Sequence, residues 1–180
     1  MILNLRDFKE FPAHVFLRGD PQQLAMDYES VRGVDSVAAE LDIQKSGEEF
    51  YCQGRVTAAV RLECARCLGE FAVNIGNNTD FIICSEDLYR SRSEKATDDE
   101  DYAFFQGADL QADISDVVRQ AIILSIGLKP LCSENCRGLC PVCGANRNET
   151  ACTCRQEAID PRWEALQRFR NTQRPEERNN

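Results

Sequence analysis

The sequence has almost none of the residues that most enzymes use for acid–base chemistry near neutral pH. His14 is the only histidine among 180 residues. A single histidine without a partner that orients it is more often a structural polar group than a catalyst. The sequence also lacks a glycine-rich phosphate loop and a serine or cysteine nucleophile with a matching base. These absences predict a protein that is not an enzyme and has no small-molecule substrate.

Long apolar runs are also missing. No stretch of 18 consecutive apolar residues occurs, so the sequence predicts no transmembrane helix. Arg6 and Asp7 lie where a secretory signal needs an unbroken apolar core. We therefore expect a cytoplasmic protein without a membrane partner, in a reducing compartment where disulfides do not persist.

Cysteine, by contrast, is abundant. Six of the ten cysteines lie between Leu131 and Cys154, with the spacing C-x3-C-x3-C-x2-C-x8-C-x-C. The inner pair, Cys140 and Cys143, is followed by Gly144, as is typical of a thiolate knuckle around a tetrahedral metal. The same spacing permits a disulfide-stapled loop, but a reducing compartment favours metal. We predict one structural zinc ion bound by four of six candidate ligands: Cys132, Cys136, Cys140, Cys143, Cys152 and Cys154.

A second C-x2-C pair, Cys64 and Cys67, falls between two strand patterns. Three interpretations stay open at this point. The pair is half of a zinc site completed by the C-terminal cysteines, or a redox pair, or two reduced thiols that pack as small hydrophobes. Cys52 and Cys84 are isolated in apolar runs and are predicted to be buried and inert.

The charge is unevenly distributed along the chain. The net charge is −9; residues 1–126 hold 12 basic and 23 acidic side chains, and residues 127–180 hold 9 and 7. The acidic N-terminal part disfavours a grip on RNA phosphates by the whole protein. Any direct RNA contact is therefore expected from the C-terminal third.

The pattern of apolar residues predicts an α+β fold. Alternating apolar residues indicate two strands in the first 20 residues and an antiparallel meander from Val34 to Cys84, with Asn77 and Asn78 in a turn. An apolar stripe at helical spacing predicts a long core helix over residues 113–126. The expected fold is an antiparallel, partly barrel-like β meander packed on one long helix, with a small C-terminal cysteine-rich metal module.

Composition divides this fold into segments. Residues 1–128 are predicted to form the sheet domain, with an acidic loop at 91–102. Residues 129–170 are expected to form a zinc-ribbon-like module and a short helix that starts at Asp160-Pro161. Residues 171–180 contain no apolar side chain and are predicted to be a disordered tail.

Several of these phrases together resemble one known family. They are LECARC at residues 62–67, KPLC at 129–132, CRGLCPVCGAN at 136–146 and DPRW at 160–163. The chain resembles the YceD-like proteins, described as large ribosomal RNA subunit accumulation proteins. The resemblance implies a non-enzymatic ribosome biogenesis factor that supports processing or accumulation of large-subunit (23S) rRNA. Its implied partners are the large-subunit rRNA precursor or ribosomal proteins, contacted directly or indirectly. The alternative is a thiol redox or zinc-sensing protein that uses the Cys64/Cys67 pair.

Overall fold

A computed structural model describes residues 1–24, 26–92, 102–105 and 110–154. Packing divides the chain into two compact units, of which the first is Met1–Cys136 and the second begins at Arg137. The domain boundary predicted between residues 128 and 129 stays a prediction. In the described part of the first unit there are seven strands, two α-helices and one 3-10 turn. The strands are β1 (Ile2–Asn4), β2 (Ala13–Gly19), β3 (Val31–Ser46), β4 (Glu49–Glu63), β5 (Glu70–Ser85), β6 (Tyr102–Phe105) and β7 (Gln111–Asp113); the helices are α1 (Glu86–Arg92) and α2 (Ser115–Ser125), and the 3-10 turn is Leu5–Asp7.

The strands form one mixed sheet in the order β1-β7-β6-β5-β4-β3-β2. Neighbouring strands are antiparallel except β5 and β6, which are parallel. β3, β4 and β5 have 15 or 16 residues each and form the predicted meander. Along β4, Val56, Ala58 and Val60 are buried, whereas Arg55 and Thr57 are exposed. This period of two gives the sheet one core face and one solvent face.

The sheet is curled into a half-barrel. β1 and β2 are its opposite edges, yet a Cβ built on Gly19 in β2 would lie 2.5 Å from the Cε of Met1, just before β1. At Gly54 in β4, a built Cβ would lie 1.9 Å from the carbonyl oxygen of Glu40 in β3. A glycine inside a strand often marks such a close approach of two backbones.

The hydrophobic core joins the inner face of the sheet to α2. Val117, Val118, Ala121 and Ile122 of α2 are buried in the same cluster as the inward side chains of β3, β4 and β5. The helix therefore lies where the apolar stripe predicted it. It has 11 residues rather than the long span of 113–126, because Asp113 belongs to β7 and Ile126 is already extended. The Asp113 carboxylate accepts a hydrogen bond from the Ser115 N–H at 2.9 Å, at the junction of β7 and the helix.

Two local predictions differ from the structure. Asn77 and Asn78 do not form a turn, because β5 continues through them and pairs them with Val56 and Arg55 of β4. The predicted acidic loop is shorter at both ends, since residue 92 closes α1 and Tyr102 begins β6. Its remainder, the helix predicted at Asp160 and the tail at 171–180 lie outside the described residues. Within the described residues, no helix is long and apolar enough to cross a membrane.

Candidate metal centres

The link between β4 and β5 is a tight knuckle that starts at Cys64. The Cys64 N–H donates to the Gly69 carbonyl oxygen at 2.9 Å, and the Leu68 N–H donates to the Cys64 carbonyl oxygen at 2.9 Å. Leu68 has a φ of 58°, the left-handed conformation that closes the turn. Both cysteine side chains are buried, Cys64 at 0% and Cys67 at 7% exposure.

The second unit contains a knuckle of the same construction. The Cys140 N–H donates to the Ala145 carbonyl oxygen at 2.8 Å, and the Gly144 N–H donates to the Cys140 carbonyl oxygen at 2.9 Å. Gly144 has a φ of 71° and occupies the position that Leu68 holds in the first knuckle. The two C-x2-C pairs are therefore equivalent turns, although only one has glycine at the left-handed position.

Exchanging the residue in the left-handed position should have opposite effects: glycine in place of Leu68 should stabilise the first knuckle, and alanine in place of Gly144 should weaken the second. Leu68 is 58% exposed, so Leu68→Gly loses little packing and removes a left-handed penalty of about 1–2 kcal/mol. The greater freedom of glycine in the unfolded chain opposes this by about 0.5–1 kcal/mol. We expect a net gain of up to about 1.5 kcal/mol in urea unfolding of the metal-loaded protein.

Gly144→Ala is the reciprocal change. A Cβ built on Gly144 meets no atom within 4 Å, so the cost comes from backbone conformation alone. We expect about 1 kcal/mol of weakened metal retention in competition with a chelator. A loss of stability for Leu68→Gly, or no change in metal retention for Gly144→Ala, would contradict the equivalence of the two turns.

The first knuckle brings Cys64 and Cys67 to Cys132 and Cys136, which follow α2. We call these four residues the sheet cluster. Their sulfur atoms all lie within 4.8 Å of one another. The Cys64 and Cys136 sulfurs are 3.8 Å apart, and the Cys67 and Cys132 sulfurs are 3.7 Å apart. The cluster thus joins the β4–β5 turn to a segment 65 residues later in the chain.

Hydrogen bonds hold the two halves of the sheet cluster together. The Arg66 guanidinium donates to the carbonyl oxygens of Glu134 and Cys136, each at 3.1 Å. The Ala65 N–H donates to the Pro130 carbonyl oxygen at 2.8 Å. Both residues between the knuckle cysteines therefore fix the loop that carries the other two thiols. This positioning does not depend on the cysteine side chains themselves.

The second knuckle brings Cys140 and Cys143 to Cys152 and Cys154, which we call the ribbon cluster. Its sulfur atoms also lie within 4.8 Å of one another. The Cys152 sulfur is 3.5 Å from that of Cys143 and 3.4 Å from that of Cys140. Cys140 is buried, Cys152 is half-buried, and the other two are exposed. The ribbon cluster is therefore more open to solvent than the sheet cluster.

The loop that closes the ribbon cluster is ordered by asparagine side chains. The Asn148 Oδ1 accepts a hydrogen bond from the Arg137 N–H at 2.8 Å. The Asn146 Oδ1 accepts one from the Asn148 N–H at 3.1 Å, and Asn146 forms an antiparallel bridge with Leu139. These contacts hold the eight residues between Cys143 and Cys152 in a compact turn.

One thiol in each cluster is poised to ionise. Burial by itself would raise the pKa of Cys64, but hydrogen bonds from backbone N–H groups, including that of Cys132, lower its pKa to about 6. The N–H groups of Cys143 and Val142 lower the pKa of Cys140 to about 6. Thiolates are the form that binds metal, so these two residues are natural first ligands.

Other thiols in each cluster resist ionisation. Burial and the neighbouring cysteines raise the pKa of Cys132 to about 12. In the ribbon cluster, the neighbouring Cys152 and Cys143 also raise the pKa of Cys154 to about 12. A second negative charge a few ångströms from the first is unfavourable without a cation between them. Each cluster can therefore hold four thiolates only around a positive ion.

The donor sets fit a tetrahedral metal. With metal–sulfur bonds of about 2.3 Å, the edges of a sulfur tetrahedron are about 3.8 Å long. The sheet cluster has sulfur separations of 3.7 and 3.8 Å, and the ribbon cluster is slightly tighter. All ten cysteines lie in the described residues, and none forms a disulfide. Two groups of four cysteines could thus each hold a metal ion.

The six predicted ligands do not form one group. Cys132 and Cys136 lie in the sheet cluster, whereas Cys140, Cys143, Cys152 and Cys154 make up the ribbon cluster. We expected one ion bound by four of these six cysteines, whereas the structure has two separate groups of four cysteines. Cys64 and Cys67, left open between three interpretations, are placed with Cys132 and Cys136. Their C-x2-C spacing was the available signal, but it did not identify their partners.

The remaining cysteines and the histidine lie apart from both clusters. Cys52 and Cys84 are buried at 2% and 1% exposure, as predicted. Burial raises the pKa of Cys52 to about 12, so it stays a neutral thiol. His14 lies on the solvent face, where its Nδ1 is 2.9 Å from a carboxylate oxygen of Asp42. That contact raises the pKa of His14.

Fold and clusters together define a class: a protein with a curled, mixed sheet and two four-cysteine groups able to hold metal. The particular family comes from sequence comparison. A family model described as "Large ribosomal RNA subunit accumulation protein YceD" matches residues 52–170, and the chain belongs to this family. The resemblance carried by the cysteine-rich phrases is thereby confirmed. The family is named as an rRNA accumulation factor and not as an enzyme.

Individual relatives agree with this assignment. The chain is 29% identical over 147 residues to "Large ribosomal RNA subunit accumulation protein YCED homolog 1, chloroplastic" of Zea mays, covering 68% of this chain and 50% of that protein. The Arabidopsis thaliana protein of the same name is 24% identical over 162 residues, covering 78% and 50%. An uncharacterised protein of Mycobacterium bovis is 26% identical over 165 residues, covering 92% and 72%. The chain spans about half the length of the two plant relatives. No solved structure matches the chain significantly.

Proposed function

We propose that this protein is a non-enzymatic ribosome biogenesis factor that supports processing or accumulation of 23S rRNA in the cytoplasm. The observation that carries the proposal is the family match over residues 52–170, which includes all ten cysteines. Its partners are the large-subunit rRNA precursor or ribosomal proteins, reached directly or through another protein. No membrane or small-molecule substrate is part of the proposal.

Both clusters are proposed to bind zinc in a structural role. Four thiolates in a tetrahedral arrangement suit zinc, whereas a catalytic zinc keeps one position open for water. Each cluster offers four sulfur ligands, so a bound ion has a closed coordination shell. Zinc in the sheet cluster would join Cys64 and Cys67 at the β4–β5 turn to Cys132 and Cys136 after α2. Zinc in the ribbon cluster would close the loop between Cys143 and Cys152.

The biological proposal is tested by removing the protein from cells. We expect the ratio of mature 23S to 16S rRNA to fall and large-subunit precursors to accumulate or decay. A plasmid copy of the chain should restore the ratio. Crosslinking followed by RNA and protein identification should recover large-subunit precursor or ribosomal proteins above background. An unchanged 23S to 16S ratio in the deletion strain would rule the proposal out.

The thiol redox alternative has one observation in its favour, which is the pKa of about 6 at Cys64. The geometry weakens it, because Cys64 lies beside Cys136 as well as in the C-x2-C pair. A redox function requires disulfide turnover by the metal-free protein, and a structural site does not. Disulfide reductase activity that disappears in Cys67→Ser would favour the alternative over the structural proposal.

A further inference from the structure

The solvent face of the sheet contains a trough away from both cysteine clusters. It is a depression of about 640 Å³ across β2, β3, β4 and β5. We call it the outer-face trough and define it by Phe16, Arg18, Ser36, Arg55, Thr57 and Asn74, which line it. Phe16 and Arg18 precede the stretch that the family model matches. Arg55, Thr57 and Asn74 lie within that stretch, so the trough combines residues inside and outside the family match.

The trough exists because small residues of β3, β4 and β5 meet at the same level, beside Arg18 of β2. Arg18 pairs with Ala38 across β2 and β3, Ala38 pairs with Thr57, and Thr57 pairs with Gly76. Two residues earlier on β3, and on the same face of the sheet, Ser36 pairs with Ala59, and Ala59 pairs with Asn74. Four strands span about 14 Å at the usual strand spacing. The floor is therefore low and broad, with longer side chains only at its margins.

Phe16 is an exposed aromatic platform at the β2 margin. It is 56% exposed, although a phenylalanine on a half-buried strand usually turns toward the core. The Arg18 guanidinium carbon lies 5.6 Å from the centre of the Phe16 ring. An arginine beside an exposed ring is the pairing that stacks on a nucleobase and contacts the adjoining phosphate.

The trough is locally basic on an acidic protein. Within the described residues, neither Arg18 nor Arg55 forms an ion pair with a carboxylate. Glu40 lies opposite both Phe16 and Arg55 in the strand register, and its Oε1 is 3.4 Å from the Nε2 of His14. Another arginine of this face, Arg61, differs because Asp35 and Glu70 each bind it at 3.0 Å. Two guanidinium groups without carboxylate partners favour an anionic occupant.

Acidic side chains limit how far an anion can extend. At one end of the trough, a neighbouring depression is lined by Glu40, Asp42 and Asp80, and Arg55 lines both depressions. Beyond the other end lie Asp35 and Glu70. A duplex with its continuous rows of phosphates would meet these carboxylates, whereas a short single strand fits between them.

We infer that the outer-face trough binds a short segment of single-stranded RNA. Phe16 stacks on a base, Arg18 and Arg55 contact phosphates, and Ser36, Thr57 and Asn74 offer hydrogen bonds to base edges. The identification of that RNA as large-subunit rRNA rests on the proposed function. The assignment of the trough itself rests on the residues listed.

The test uses the full-length, metal-loaded protein and fluorescence anisotropy with a labelled single-stranded RNA of about ten nucleotides. The same sequence as a duplex and an acidic peptide of similar charge serve as competing probes. We expect Phe16→Ala to weaken single-strand binding about 5- to 150-fold. Arg55→Gln should lower the slope of log affinity against log salt by about 0.7, the value for one phosphate contact on a single strand.

Matched variants on the same face provide the controls. Tyr51→Ala removes another exposed aromatic ring, and Arg61→Gln removes the ion-paired arginine. Both should bind within about twofold of wild type, and circular dichroism should show all four variants folded. The inference is overturned if single-stranded RNA does not bind, if Phe16→Ala and Arg55→Gln bind like wild type, or if the acidic peptide or duplex binds more tightly.

Experiments in cells distinguish a failure of the trough assignment from a failure of the proposed function. If the deletion lowers 23S rRNA but the trough variants bind RNA normally, the trough assignment fails while the proposed function stands. If the deletion leaves 23S rRNA unchanged while oligonucleotide binding depends on Phe16, the trough assignment stands and its link to large-subunit rRNA fails. Complementation by Phe16→Ala should be weaker than by Tyr51→Ala if both proposals are correct.

Discussion

Cys64→Ser is expected to remove one of two zinc equivalents and to destabilise the sheet unit by about 4 kcal/mol. The magnitude follows from the loop that the sheet cluster closes. A cross-link between Cys67 and Cys132 spans 65 residues, and restricting an unfolded chain over that distance contributes about 4 kcal/mol in the chain-entropy model. Serine leaves the backbone unchanged but removes the thiolate that ionises first.

Cys140→Ser is the matched control in the ribbon cluster. It removes the corresponding knuckle cysteine, and its cluster closes a span of only 9 residues between Cys143 and Cys152. The same model then gives about 2.6 kcal/mol, confined to the second unit. Native mass spectrometry should count one zinc in either single variant and none in the double variant. Thermal unfolding monitored through the sheet should shift for Cys64→Ser only.

The zinc counts and unfolding temperatures of these variants distinguish one shared metal site from two independent metal sites. If Cys64→Ser retained two zinc equivalents, or if Cys140→Ser lowered the unfolding temperature of the sheet as much as Cys64→Ser, the assignment of two structural ions would be wrong. A different metal in the purified protein would correct the identity of the ion while leaving the ligand sets in place.

Gly54→Ala should destabilise the sheet by about 3 kcal/mol or more. The added Cβ would lie 1.9 Å from the Glu40 carbonyl oxygen and 2.9 Å from the Leu41 Cα. Both atoms belong to the β3 backbone, so no flexible side chain can yield, and two strands must separate locally. Overpacking of this kind typically costs about 1–3 kcal/mol and more where the backbone must move.

Gly127→Ala is the control for this change. A Cβ at Gly127 meets no atom within 4 Å, and its φ lies outside the left-handed region. We therefore expect a change within about 0.5–1 kcal/mol in either direction. Urea unfolding of the three proteins measures both effects. Equal stability of Gly54→Ala and Gly127→Ala would mean that β3 and β4 do not approach so closely at Gly54.

Much of the fold followed from local patterns. The period of two predicted the meander and its single buried face, because successive side chains of a strand point to opposite sides. The helical stripe predicted α2, because residues three and four apart share one face of a helix. Its length was overestimated, because Asp113 belongs to strand β7 and Ile126 is already extended. The parallel pairing of β6 with β5 had no local signal, because β6 has only four residues.

The cysteine sites divide in the same way. Spacing by itself predicted a metal knuckle at Cys140 and Cys143, because a C-x2-C turn is local and its hydrogen bonds lie within six residues, but it left Cys64 and Cys67 open between three interpretations. Spacing allowed either Cys152 and Cys154 or a cysteine from each flank as partners of the second knuckle, and the structure groups it with Cys152 and Cys154. Only the tertiary structure decided that Cys132 and Cys136 turn back to the first knuckle. That choice depends on where α2 ends against the sheet. It brings together residues 65 and 72 positions apart, and no neighbouring residue specifies such contacts.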